Sequence, residues 1–278
     1  MSIFLKTEDM WDMPLDGECK TSDNGVSEKH ITFWFGNIAY VLVGIFCKIC
    51  WRFKYHNLEK LRAFKGKCGA IVIANHSSFV DAACLYLSAR PSQWIRPMAR
   101  ENLFNNKLLG QIISRVGGFP VKRDSSDRSS LKRAVACIKR DELVGVMPEG
   151  TRRGRGTADI KLHAGVAFIA KMAKDAPIIP LGIRGCDKIK PKGSRMHFNR
   201  VEMFYGDPIL LSDFDVFDKK DRLEACTWYA MREVFALRDG VSPESVDMKA
   251  LFPTDKDFTE EFKTIVIPRH TAIEVANM

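Results

Sequence analysis

The sequence predicts an α/β fold, a largely parallel sheet flanked by helices, preceded by an N-terminal membrane-anchoring helix. Three observations predict it. Short apolar runs of strand length alternate with stretches whose apolar residues recur every three or four positions. Several runs end beside Asn, Gly or Pro, which close a strand and open a loop. Residues 31–47, ITFWFGNIAYVLVGIFC, run for seventeen positions without a charge.

The chain opens on an acidic stretch. Residues 1–29 hold seven acids against three lysines, a net of −4, in a chain of 278 residues whose total is +9, so the remainder carries +13. A polar segment is expected over 1–29 and the anchor helix over 30–55. At about 1.5 Å per residue, seventeen residues fall slightly short of a hydrocarbon core about 30 Å thick. Continuing through Ile49, Cys50 and Trp51, with the Lys48 ammonium reaching outward, brings the length into range. The segment reads as a span, as a shallow anchor in one leaflet, or as a buried core helix. A cleaved signal peptide fits poorly, because the run begins thirty residues in and follows acids. With membrane attachment, Arg52 and Lys54 place the following domain on the cytoplasmic face.

Over 56–240 strands and helices alternate. GAIVIAN at 69–75 is a buried-strand pattern closed by Asn; 79–87 is helix-like and 94–99 extended. Residues 103–116 have helical apolar spacing, 119–121 a brief strand, and Asp127 or Ser129 caps the helix that follows. Strands at 143–147, 177–183 and 200–205 and helices at 164–173 and 221–237 complete the domain. Beyond 240 the pattern weakens, and 241–278 is expected to be a peripheral tail. Eight scattered cysteines do not form the framework of a small secreted domain, and Cys47 and Cys50 lack a second pair or nearby histidines for a metal. The basic body suits anionic lipid, phosphorylated substrates or nucleic acid alike.

Four short blocks carry the chemistry, three of them beside predicted strand ends, where an open α/β sheet places its ligands. In NHSSFVD, His76 and Asp81 are five steps apart. One continuous helix would set them roughly 140° apart and a strand would face them oppositely. They meet only if His76 lies in the turn after the strand and Asp81 in the first turns of the next helix. A carboxylate on one imidazole nitrogen fixes the tautomer and leaves the other to accept a proton, which makes a general base for a hydroxyl nucleophile. Taken alone, the block also reads as helix capping beside an unrelated aspartate.

GGFPVKRD at 117–124 offers a glycine pair for close approach and Lys122 and Arg123 as phosphate donors, or a solvated strand end. PEGTR at 148–152 joins a carboxylate, a glycine turn, a hydroxyl and an arginine at one strand end. There Glu149 suits substrate hydroxyls, Gly150 and Thr151 can donate, and Arg152 suits phosphate; Arg153 and Arg155 add positive potential or are solvated. APIIPLGIRG at 176–185 reads as a rigid strand lining an apolar surface or as plain core.

Together these blocks resemble the lysophosphatidic acid acyltransferase family, also called 1-acylglycerol-3-phosphate acyltransferases, over roughly residues 69–185. His76 and Asp81 match its HxxxxD motif. Gly118, Phe119 and Arg123 match its glycine-to-arginine motif, 149–152 its EGTR motif, and 177–180 its proline-flanked motif. The resemblance implies that His76 is the base, braced by Asp81, and that Arg123, Glu149, Gly150 and Arg152 bind the acceptor's glycerol phosphate. It implies an acyl donor on coenzyme A or acyl carrier protein as co-substrate, with no metal, no cofactor and no acyl-enzyme intermediate. The product would be phosphatidic acid for phospholipid synthesis, made beside membrane lipids. Other acceptors in the same class are glycerol 3-phosphate, lysophosphatidylglycerol and lyso-aminolipids. A serine hydrolase is disfavoured by the lack of a GxSxG elbow, and a nucleic-acid partner by the lack of any RNP, zinc or helix-turn-helix signature. A non-catalytic lipid-binding scaffold is the remaining rival.

Overall fold

The computed structural model describes residues 6–13, 33–90, 93–122, 128–153, 160–190 and 193–278. Seven strands form one sheet: β1 (Lys54–His56), β2 (Ala70–Ala74), β3 (Ile95–Arg100), β4 (Phe119–Val121), β5 (Leu143–Val146), β6 (Ile178–Arg184) and β7 (Glu202–Tyr205). Their order is β1-β7-β6-β2-β5-β3-β4, and neighbours run parallel except β6 and β7. The helices are α1 (Thr7–Asp12), α2 (Phe33–Trp51), α3 (Leu58–Arg62), α4 (Asp81–Ala89), α5 (Lys107–Arg115), α6 (Arg128–Lys139), α7 (Gly165–Met172) and α8 (Arg222–Asp239), then α9 (Met248–Leu251), α10 (Glu261–Thr264) and α11 (Ala272–Ala276).

The central strand shows why two layers form. Successive side chains of β2 point to opposite faces. Ala70, Val72 and Ala74 join Leu61 of α3 and Leu85 of α4 in one buried cluster, while Ile71 and Ile73 join Ala134 of α6, Val166 of α7 and Phe235 of α8 in the other. Every residue of β2 is buried, as a strand covered on both faces requires.

Several expectations change. The helix foreseen over 103–116 is interrupted: a 3₁₀ turn over Glu101–Phe104 precedes α5, because the Asn106 side chain accepts the Leu109 amide and starts the helix there. Asp127 lies outside the described residues, and Ser129 sits inside α6 rather than at its cap. β1 falls where the anchor was expected to end; three residues paired along an edge carry no apolar signature. The segment 241–278 is no peripheral tail, since Met248, Phe252, Phe258 and Val275 are buried in the two clusters.

α2 is one continuous helix of 19 residues. One side is committed to the domain. The Tyr86 hydroxyl donates to Gly36 O, Arg90 donates to the Asn37 amide oxygen, Trp51 Nε1 donates to His197 O at 3.1 Å, and Cys47 is buried. The other side exposes Ile38, Val41, Leu42, Ile45, Phe46 and Ile49. Among the described residues no helix is long and apolar enough to cross a membrane.

Candidate active site

The chain leaves β2 at Ala74, turns, and begins α4 at Asp81. That turn does what neither a helix nor a strand can do at this spacing. Nδ1 of His76 donates to Oδ2 of Asp81 at 2.9 Å, and the amides of Ser77 and Ser78 donate to the same oxygen, each at 2.7 Å. Asp81 is fully buried, and three donors on one oxygen offset the loss of water around its charge. In a neutral ring that donates from Nδ1 to Asp81, Nε2 is the nitrogen with the lone pair, and the His76 side chain is 21% exposed.

Two further contacts fix the turn. Asn75 is buried and bridges β2 to β6, its amide nitrogen donating to Ile183 O at 2.9 Å and its oxygen accepting from Ile183 N at 2.8 Å. From the other neighbour, β5, comes Glu149, whose Oε1 accepts the backbone N–H of His76 at 3.0 Å. Its Oε2 lies 2.5 Å from Nε of Arg153, and the Arg153 amide donates to His76 O at 2.9 Å. Burial raises the Glu149 pKa, opposed by the Arg153 charge. Arg153 itself is held from outside the loop, donating to Leu251 O at 3.1 Å beneath the rings of Phe235 and Phe252.

These contacts redistribute the expected roles. Glu149, read as a substrate ligand, gives both oxygens to the protein and holds the His76 turn. Arg153 is turned inward rather than solvated, while Arg155 lies outside the described residues. Gly150 takes φ of +59°, and its amide donates to Met147 O, as that of Thr151 does to Glu149 O, so both are used inside the loop. Arg152 stands partly exposed on this loop. Lys122 follows β4, exposed, with Nζ 3.5 Å from Glu101; Arg123 lies outside the described residues. Because β2, β5, β3 and β4 are parallel, the His76 turn, the 147–153 loop and Lys122 all emerge at one carboxyl edge of the sheet. The proline-flanked strand is core, since β6 is buried from Ile178 through Ile183.

Cys84 and Cys186 pack behind Asp81 with sulfurs 3.7 Å apart. Burial raises the Cys84 thiol, and the bond to Cys84 together with burial raises that of Cys186, so neither is poised as a nucleophile.

An Acyltransferase family model matches residues 52–184. The 1-acyl-sn-glycerol-3-phosphate acyltransferase of Bacillus subtilis is 33% identical over 176 residues, which are 63% of this chain and 82% of that protein. The chain belongs to the 1-acyl-sn-glycerol-3-phosphate acyltransferase family. It is an O-acyltransferase. A Streptococcus pneumoniae protein of the same name is 33% identical over 160 residues, 57% of this chain and 56% of its own length. The crystal structure of a 1-acyl-sn-glycerophosphate (LPA) acyltransferase from Thermotoga maritima shares the fold, with a TM-score of 0.52 at 19% identity, covering 80% of this chain and 78% of that one. Within this acyltransferase the matched stretch holds His76, Asp81 and the 147–153 loop, while α1, α2 and everything after Arg184 lie outside it.

The sequence reading gives Asn75 only the closing of a strand and Arg153 only positive potential or solvation, and misses their bracing of the His76 turn. An Asn that ends a wholly apolar run must find a partner once buried, and that signal was readable. Arg153 had no local signal, because its partners Phe235, Leu251 and Phe252 lie far along the chain.

Proposed function

We propose that this enzyme transfers a fatty acyl group from a thioester, on coenzyme A or acyl carrier protein, to the free hydroxyl of a 1-acylglycerol 3-phosphate, giving phosphatidic acid. The observation that carries the proposal is the His76–Asp81 pair at the carboxyl edge of the sheet. Nε2 of His76 takes the hydroxyl proton as the oxygen attacks the thioester carbonyl. The buried Asp81 carboxylate steadies the imidazolium that forms. Collapse of the tetrahedral adduct breaks the carbon–sulfur bond, and the imidazolium returns its proton to the departing thiolate. A thioester is already activated, so a base, positioning and stabilisation of the oxyanion suffice.

Lys122, Arg123 and Arg152 supply the cationic side of the acceptor site, with Thr151 and Gly150 shaping the loop between them. Lys122 stands three strands from the His76 turn, about 14 Å across the sheet, so its long side chain must reach back along the edge to meet a phosphate carried on the carbon next to the reacting hydroxyl. The apolar face of α2 rests in one leaflet while its other side stays on the domain, a shallow anchor that brings the site to lipid on the cytoplasmic face.

The test is a panel of acceptors offered with one acyl thioester, read as free thiol released. The reading expects turnover with 1-acylglycerol 3-phosphate well above that with glycerol 3-phosphate, lysophosphatidylglycerol or a lyso-aminolipid. Comparable turnover with an acceptor lacking phosphate would overturn it. Running coenzyme A and acyl-carrier-protein donors side by side identifies the carrier.

A further inference from the structure

Arg96 on β3 is fully buried, and each of its five N–H groups has an acceptor. Nε donates to Gly117 O at 3.0 Å. Nη1 donates to Met13 O at 2.6 Å and to the Glu142 carboxylate at 3.4 Å. Nη2 donates to Met10 O at 3.1 Å and Trp11 O at 2.9 Å. Three of these acceptors are carbonyls at the C-terminal end of α1, where a helix has no internal partners for them. Another, Gly117, has φ of +93° and forms the turn into β4. One guanidinium therefore joins the N-terminal segment to the turn that begins the second motif.

Other contacts tie the same segment to α5 and α6, which flank β4 along the chain. Trp11 Nε1 donates to Ser114 Oγ at 2.9 Å, and Gln111 donates to Thr7 Oγ1 at 2.9 Å. Arg133 donates to both carboxylate oxygens of Asp12, at 2.6 and 2.9 Å, and its guanidinium lies over the rings of Trp11 and Phe119. Among the described residues β4 is an edge strand of three residues paired with β3. So short a ladder by itself positions Lys122 only weakly. The segment 6–13 lies outside the stretch matched by the family model.

We propose that residues 6–13 form a clasp, fastened by Arg96, that positions the β4 turn and with it the cationic end at Lys122 for the phosphate of the acceptor. The proposal rests on the acceptor reading given above. Arg96 is a positioning residue, acting through Gly117.

The experiment compares the full-length wild type with a Trp11→Ala, Asp12→Ala double variant, which loosens the clasp and leaves Arg96 in place. Acceptor KM, donor KM, kcat and melting temperature are measured for each. The clasp predicts an acceptor KM raised about ten-fold, with donor KM and kcat within about two-fold of wild type. Asp12→Glu, which keeps a carboxylate for Arg133, should retain an acceptor KM near that of wild type. An unchanged acceptor KM in the double variant would overturn the proposal. So would kcat and both KM values shifting together with the melting temperature, the mark of general loosening. If the wild type fails to acylate 1-acylglycerol 3-phosphate, the acceptor reading fails and the clasp's role with it; normal wild-type turnover with no effect in the variant removes the clasp alone.

Discussion

Oε1 of Glu149 accepts the backbone N–H of His76 at 3.0 Å, so the loop after β5 fixes the turn after β2. The second oxygen of the same carboxylate faces Arg153, and the Arg153 amide returns a bond to His76 O. A residue typed by its motif as a substrate ligand is, in this fold, the brace of the His76 turn.

Glu149→Gln separates the two halves of that brace. The amide oxygen still accepts the His76 N–H, but Arg153 loses its counter-charge in a mostly buried place. The variant should be less stable by about 3 kcal/mol, because removing one member of a buried pair strands the other. Chemical denaturation measures this. Glu149→Ala, which removes the acceptor as well, should lower kcat further than Glu149→Gln; equal kcat values in the two variants would refute the bracing role.

Asp81→Asn keeps an oxygen for the Ser77 and Ser78 amides and removes the charge that steadies the imidazolium. The expected result is a fall in kcat of about a hundred- to ten-thousand-fold with little change in acceptor KM. Steady-state kinetics on the folded variant decides it, and a loss confined to KM would contradict the pairing.

The Asp12–Arg133 contact carries a pH signature. Asp12 is held below its ordinary value of 3.8, chiefly by its hydrogen bond with Arg133. A carboxyl lowered on folding contributes stability above its unfolded pKa and loses it as pH falls through the folded one. The stability gap between wild type and Asp12→Asn should therefore be full at neutral pH and close below about pH 3.8. A gap independent of pH would show that the ion pair contributes nothing.

On α2, Leu42 and Ile45 stand in the exposed apolar stripe. Each is worth about 1.5–3 kcal/mol when buried. Replacing both with Asp should weaken vesicle binding by at least about a hundred-fold, while activity on a dispersed short-chain acceptor changes little. Co-sedimentation with vesicles measures the first, thiol release the second. Undiminished vesicle binding would remove α2 as the anchor.

The central strands were legible because a strand buried on both faces must be apolar throughout, as AIVIA at β2 and LVGV at β5 are. The His76–Asp81 meeting was legible too, since five steps can close only across a strand-to-helix turn. What escaped was written in partners distant along the chain. Phe258 and Phe262 stand singly among polar residues, and the ring they fit against, Trp228 of α8, lies well back along the chain. Arg96 reads as an ordinary charge in an extended run until α1, more than eighty residues earlier, brings its carbonyls to it. The role of Glu149 was hidden likewise, because the motif pattern marks which residues recur together and not which way a carboxylate turns.

The most direct test of the account is His76→Ala, assayed by thiol release from an acyl thioester with 1-acylglycerol 3-phosphate as acceptor. Removing the base should lower kcat by about a hundred- to ten-thousand-fold, with the melting temperature and vesicle binding close to those of the wild type. Turnover at the wild-type rate in that variant would contradict it.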